Sequence, residues 1–151
     1  MSARMKYWED LVVGEVVETG SYTFTAEDIK EFASKYDPQP FHVDEETAKT
    51  SIFGGLIASG WHTSAVCMRL LVGGWVKDVA SMGSPGADEI RWLRPVRPGD
   101  TVTLRVELLE KTPSKSKSDR GSMRAKYELK NQNGEVVCTM IGIGIIHKRP
   151  T

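Results

Sequence analysis

The sequence predicts an α+β domain with helices against one face of an antiparallel sheet, and three observations carry that expectation. The segment after Gly54-Gly55 is apolar around most of a helix's girth. The second half of the chain alternates apolar and polar residues in several stretches, and Asn133-Gly134 marks a tight hairpin between two of them. An apolar helix and a run of strands bury their apolar faces by packing together. At 151 residues the chain has the length for one domain with its own core and is short for two, so 1–151 is read as a single domain.

Between Val16 and Thr25, Val17, Tyr22 and Phe24 alternate with polar neighbours, which predicts a strand bent near Gly20. Thr25 ahead of Ala26-Glu27-Asp28 is an N-cap signal. Ile29, Phe32, Ala33 and Tyr36 follow at helical spacing, so a short helix ends near Tyr36. Pro38 and Pro40 bias Asp37 and Gln39 away from helical dihedrals, which makes 37–42 a stiff, extended segment. Asp44 is placed to cap another short helix opened by Glu45 and Glu46.

Ser59 is the candidate N-cap of the apolar helix. Its buried stripe is read as Trp61, Ala65, Met68 and Val72, widened by Ser64, Cys67 and Leu71, with Gly73-Gly74 at its end. Such a helix belongs at the centre of the domain. Arg97-Pro98-Gly99-Asp100 is a turn before a strand carrying Val102, Leu104, Val106 and Leu108. Ala125, Tyr127 and Leu129 mark the next strand, and 113–121 reads as a polar surface hairpin loop. From Met140 to Ile146 both faces are apolar, as in an internal strand, with Gly142 and Gly144 permitting bending or close backbone approach.

Twenty Lys and Arg balance twenty Asp and Glu, which argues against a nucleic-acid binder or a disordered chain. No run approaches the roughly 18 apolar residues of a membrane span. Met1 to Asp10 holds no secretory-type apolar run, so the expectation is a cytoplasmic protein without a membrane partner. Cys67 and Cys138 both sit in apolar segments and read as buried thiols, suggesting neither a disulfide framework nor a zinc site.

Of three histidines, His62 lies in the apolar helix, where a satisfied core or interface role is the ordinary reading, and His147 lies at the polar C-terminal end. His42 differs in its neighbours. Asp37 and His42 together supply two groups able to exchange protons near neutral pH. Five extended residues span up to ~17 Å, so the two meet only where the segment curves, and spacing alone does not establish that. Ser59 lacks the Gly-x-Ser-x-Gly setting of a nucleophile and reads as a cap, with a polar active-site contact as the alternative.

Tyr36-Asp37-Pro38-Gln39-Pro40-Phe41-His42 is followed after five residues by Ala48, then by Phe53-Gly54-Gly55-Leu56-Ile57-Ala58-Ser59-Gly60 and by Arg94-Pro95-Val96-Arg97-Pro98-Gly99-Asp100. In this order the segments resemble the MaoC-like, or hydratase-2, family of (R)-specific enoyl-CoA hydratases, whose signature is Asp-x-Asn-Pro-x-His with a downstream Ala. The resemblance implies a hotdog fold, a long central helix wrapped by a curved antiparallel sheet, assembled as a homodimer or higher homo-oligomer. It implies hydration of trans-2-enoyl thioesters of coenzyme A or acyl carrier protein, or the reverse dehydration. Asp37 and His42 would then hold and activate one water, and the Gly60 N–H would face the thioester carbonyl. That last role agrees with Gly60's place at a helix start, where free N–H groups favour a developing oxyanion. No metal, nucleotide cofactor or covalent nucleophile is implied. Gln39 stands where the motif has Asn, and Tyr36 replaces the usual small Gly.

Two other readings share the fold: a hotdog thioesterase and a weakly active acyl-CoA-binding subunit. Arg91, Arg94, Arg97, Lys115 and Lys117 are candidates for coenzyme A phosphates, though each taken singly reads as an ordinary solvated charge.

Overall fold

The computed structural model describes residues 4–151. Its strands are β1 (Val16–Thr23), β2 (Gly86–Trp92), β3 (Thr101–Pro113), β4 (Arg120–Lys130) and β5 (Val136–His147). They form one antiparallel sheet in the order β1-β3-β4-β5-β2. The helices are α1 (Ala26–Tyr36), α2 (Pro40–Val43), α3 (Glu45–Lys49) and α4 (Gly60–Gly74). Alternation sets the sheet's inner face: Val102, Leu104, Val106 and Leu108 of β3 and Met123, Ala125, Tyr127 and Leu129 of β4 are all buried. Val66, Cys67, Leu70 and Leu71 of α4 join them in one core, giving the central helix and antiparallel sheet of the hotdog fold.

Most elements follow the sequence signals. The α1 helix has the expected limits, and the Thr25 hydroxyl accepts its Asp28 N–H at 3.1 Å. Asp44 caps α3 through the N–H groups of Glu46 and Thr47. The β1–β3 register slips between Glu18 and Ser21, the stretch that holds Gly20, where the bend is expected. Strand β5 is internal, and a β-carbon at Gly142 would collide with the Tyr127 ring, so the close approach expected there is real. Cys67 and Cys138 are buried free thiols, and burial pushes the Cys67 thiol up to about 12. No helix among the described residues is long and apolar enough to cross a membrane.

Two expectations need correction, and one strand carries no signal in the sequence. Of the stripe assigned to the buried face of α4, Cys67 and Leu71 are buried, but its main row points outward: Trp61 is 57% exposed, Met68 49% and Val72 43%, and the buried side is completed by His62, Thr63, Val66 and Leu70. A helix apolar on both sides carries no asymmetry from which its buried side can be read. Segment 37–42 is not extended throughout, because Pro40 starts α2. Proline fixes a helical φ and its missing N–H is not needed in a first turn. Strand β2 was not foreseen; Gly86–Trp92 lies at the sheet edge with no buried residue, so it lacks the alternation by which strands are recognised.

Candidate active site

The two prolines bend the chain and bring Asp37 back toward His42. Asp37 ends α1, its N–H bonded to Ala33 O at 2.8 Å. Gln39 is extended, as the following proline requires, and its N–H bonds to Asp37 O at 2.8 Å. The single turn of α2 then lets His42 N–H reach Gln39 O at 2.9 Å. This curvature leaves His42 Nε2 3.3 Å from Asp37 Oδ2.

Both groups are held by further bonds. His42 is buried, and its Nδ1 lies 2.7 Å from Ile57 O. A carbonyl only accepts, so Nδ1 carries a hydrogen and Nε2 is the nitrogen that gains or loses a proton beside Asp37. Asp37 Oδ1 accepts from Gln39 Nε2 at 2.7 Å, and Oδ2 accepts from the Ser59 hydroxyl at 2.7 Å. Burial raises the Asp37 carboxyl, but the bonds from Ser59 and Gln39 and the nearby His42 outweigh it and leave the group below the ordinary carboxylate value.

Ser59 caps its helix as expected and also bonds to Asp37. Fully buried, it caps α4 by accepting the Trp61 N–H at 3.2 Å while donating to Asp37. The first N–H of α4, that of Gly60, has no acceptor among the described residues. Gly60 and His42 line the same cavity of about 290 Å³, together with Phe41, Ile57, Thr63 and Trp92. An unpaired N–H at a helix start, on a residue that lines this cavity, suits an oxygen that gathers negative charge.

Trp92 is the residue that sequence reasoning missed. A β-carbon on Gly60 would lie 2.5–2.9 Å from three atoms of its indole, so any other residue there would have to displace Trp92 even before a ligand arrives. Its strand carried no buried pattern, and so no signal singled Trp92 out. Of the basic candidates, Arg94 lines the cavity and pairs with Glu135 at 2.9 Å, while Arg97 donates to Phe53 O at 2.6 Å. Arg91, Lys115 and Lys117 do not line it.

His62 is buried as expected but not satisfied. Its ring stacks on Phe32 at 4.7 Å and meets Phe24 edge-on at 4.9 Å, and its Nδ1 has no hydrogen-bond partner. Burial lowers its pKa against a smaller opposing pull from Asp28. His147 lies outside the site at the exposed end of β5. No metal-binding group of His, Cys, Asp and Glu is present among the described residues.

Residues 10–132 match the profile of a family described as the MaoC like domain. The crystal structure of a MaoC-like dehydratase from Rhodospirillum rubrum superposes with a TM-score of 0.88 at 42% identity, covering 97% of this chain and 99% of that one. The (R)-specific enoyl-CoA hydratase of the same organism is 31% identical over 118 residues, 74% of this chain and 75% of its own length. YdeM of Bacillus subtilis, described as uncharacterized, is 35% identical over 109 residues, 72% of this chain and 77% of its own.

Proposed function

Because this chain belongs to the MaoC-like domain family, we propose that it hydrates trans-2-enoyl thioesters of coenzyme A or acyl carrier protein to (R)-3-hydroxyacyl thioesters, or runs the reverse dehydration. The observation that carries this reading is the 3.3 Å approach of Asp37 Oδ2 and His42 Nε2, with His42 and Gly60 lining one cavity. A relative at 31% identity bears the name (R)-specific enoyl-CoA hydratase, in agreement with it.

The chemistry requires the pair to hold one proton at the start. Ser59 and Gln39 favour the Asp37 carboxylate, which suits Asp37 to take the proton and leaves His42 Nε2 to give one. As the water oxygen bonds to the β-carbon, Asp37 takes a proton from that water and His42 delivers its own to the α-carbon on the same face. Negative charge passes through the thioester oxygen, where the Gly60 N–H stabilises it; one such donor is worth ~3 kcal/mol of barrier. Transfer of the proton from Asp37 back to His42 over the short gap resets the pair.

The exposed apolar face of α4, with Trp61, Met68 and Val72, supports a homodimer or higher homo-oligomer, because patches of this kind mark interaction surfaces. The test is the loss of enoyl absorbance with crotonyl-CoA, followed by stereochemical analysis of the product. An (R)-3-hydroxyacyl product supports the reading. Release of free thiol without hydration replaces it with a thioesterase.

A further inference from the structure

The cavity beside His42 holds one charged group that the proposed reaction does not use. Its wall is mostly apolar, with Phe41, Phe53, Leu93, Val96 and Val137 among its residues. Of the polar groups on that wall, His42 and the Gly60 N–H serve the reaction. The Thr63 hydroxyl turns back to Ser59 O on its own helix at 3.4 Å, and the Trp92 Nε1 donates to Ser64 Oγ at 3.1 Å. Arg94 remains. Its Nη1 lies 2.9 Å from Glu135 Oε2, and no protein acceptor is bonded to its Nε or Nη2 among the described residues. The pair is open to solvent, with side chains 56% and 37% exposed, so it adds little to stability and is exchanged at small cost. Glu135 keeps a separate bond from Asn131 Nδ2 at 3.1 Å, so releasing Arg94 does not leave its carboxylate without a partner.

Resting on the hydratase reading, we propose that Arg94 reads a carboxylate on the acyl group, so that the preferred substrates are short enoyl thioesters of dicarboxylic acids. A planar guanidinium with Nε and Nη2 free matches a carboxylate through two parallel bonds. The other anions of such a substrate, the phosphates of the carrier, lie the whole length of the pantetheine arm from the thioester. Arg94 lines the same cavity of about 290 Å³ as Gly60, whose N–H meets the thioester oxygen, so the anion it faces is close to that oxygen. A carboxylate on a short acyl chain satisfies this condition, and a carrier phosphate does not. The carboxylate is a spectator in the reaction: water adds across the double bond, its oxygen to the β-carbon and a proton to the α-carbon, and the carboxylate leaves unchanged on the 3-hydroxyacyl product. A neutral chain such as crotonyl enters the same cavity without the ion pair and is held more weakly.

The test measures dissociation constants of butyryl-CoA and glutaryl-CoA by calorimetry in the wild type, Arg94→Gln and Glu135→Gln. The two ligands share the carrier and differ by one carboxylate. Saturated thioesters are not hydrated, so the result is independent of turnover: a wild type that hydrates neither crotonyl-CoA nor glutaconyl-CoA overturns the proposed reaction, while the affinity ratio still decides on Arg94. The expected wild type binds glutaryl-CoA roughly tenfold or more tightly than butyryl-CoA, the scale of a charge-assisted hydrogen bond. Arg94→Gln is expected to abolish that preference with little change for butyryl-CoA, and Glu135→Gln to raise it about threefold by removing the competing carboxylate. Equal weakening of both ligands in Arg94→Gln assigns the guanidinium to the carrier or to structure alone and overturns the proposal. A wild type without preference for glutaryl-CoA, or no binding of either thioester, overturns it as well. Where Arg94→Gln does not fold, Glu135→Gln decides: a raised ratio supports the proposal, and an unchanged one overturns it.

Discussion

The Ser59 hydroxyl accepts the Trp61 N–H at the start of α4 and donates to Asp37 Oδ2 at 2.7 Å, at the end of α1. One side chain thus joins two helix ends and holds the carboxylate facing His42. Ser59→Ala removes both bonds. Losing the cap costs about 1 kcal/mol, read as a lower melting temperature.

The same variant shifts the pH profile. A carboxylate held below its usual pKa is ionised above that pKa and loses its working form as pH falls through it. Without the Ser59 bond the Asp37 pKa rises, so the acid limb of kcat/KM moves to higher pH. An acid limb that stays in place while activity falls would mean that Ser59 acts only as a cap.

Gly60 and Trp92 make a coupled pair. Gly60→Ala puts a methyl group 2.5 Å from the indole and lowers both stability and hydration, and Trp92→Ala in the same molecule restores part of each. A double-mutant cycle on melting temperature and turnover reads the coupling. Strictly additive losses would show that the β-carbon is excluded by something other than Trp92.

His62 makes a different prediction. Its folded-state pKa lies below the ordinary value of 6.5, so the unfolded chain binds the extra proton and stability falls as pH drops through and below 6.5. His62→Phe preserves the stacking on Phe32 and removes the unpartnered Nδ1. Denaturant titrations at pH 7.5 and pH 5 are expected to show a smaller acid loss in the variant than in the wild type; equal losses would exclude His62 as a source.

Association is read from α4. Light scattering at micromolar concentration is expected to give at least twice the monomer mass, with Met68→Glu shifting it toward the monomer by placing a charge on the exposed apolar face. A monomeric wild type would contradict the homo-oligomer.

Much of this site was legible before any coordinates. Thr25, Asp44 and Ser59 cap their helices because short polar side chains at those positions satisfy free N–H groups, a local rule that a sequence displays. Asp37 and His42 could be named, yet their meeting depended on Pro40 opening a helical turn, and a proline is equally compatible with an extended path. The outward phase of α4 and the edge strand ending in Trp92 were hidden for related reasons. An all-round apolar helix shows no direction, and an edge strand without buried residues shows no period. The contact of Trp92 with Gly60 could therefore be seen only in three dimensions.

The measurement that bears most directly on the account is hydration of crotonyl-CoA by Asp37→Asn, His42→Gln and the double variant, with circular dichroism to confirm folding. General acid–base groups contribute roughly 10²–10⁴-fold each. Two residues 3.3 Å apart acting on one water fail together. The account predicts that each folded single variant loses at least a hundredfold in turnover, and that the double variant is little worse than the poorer single one. Turnover near that of the wild type in either single variant would contradict it.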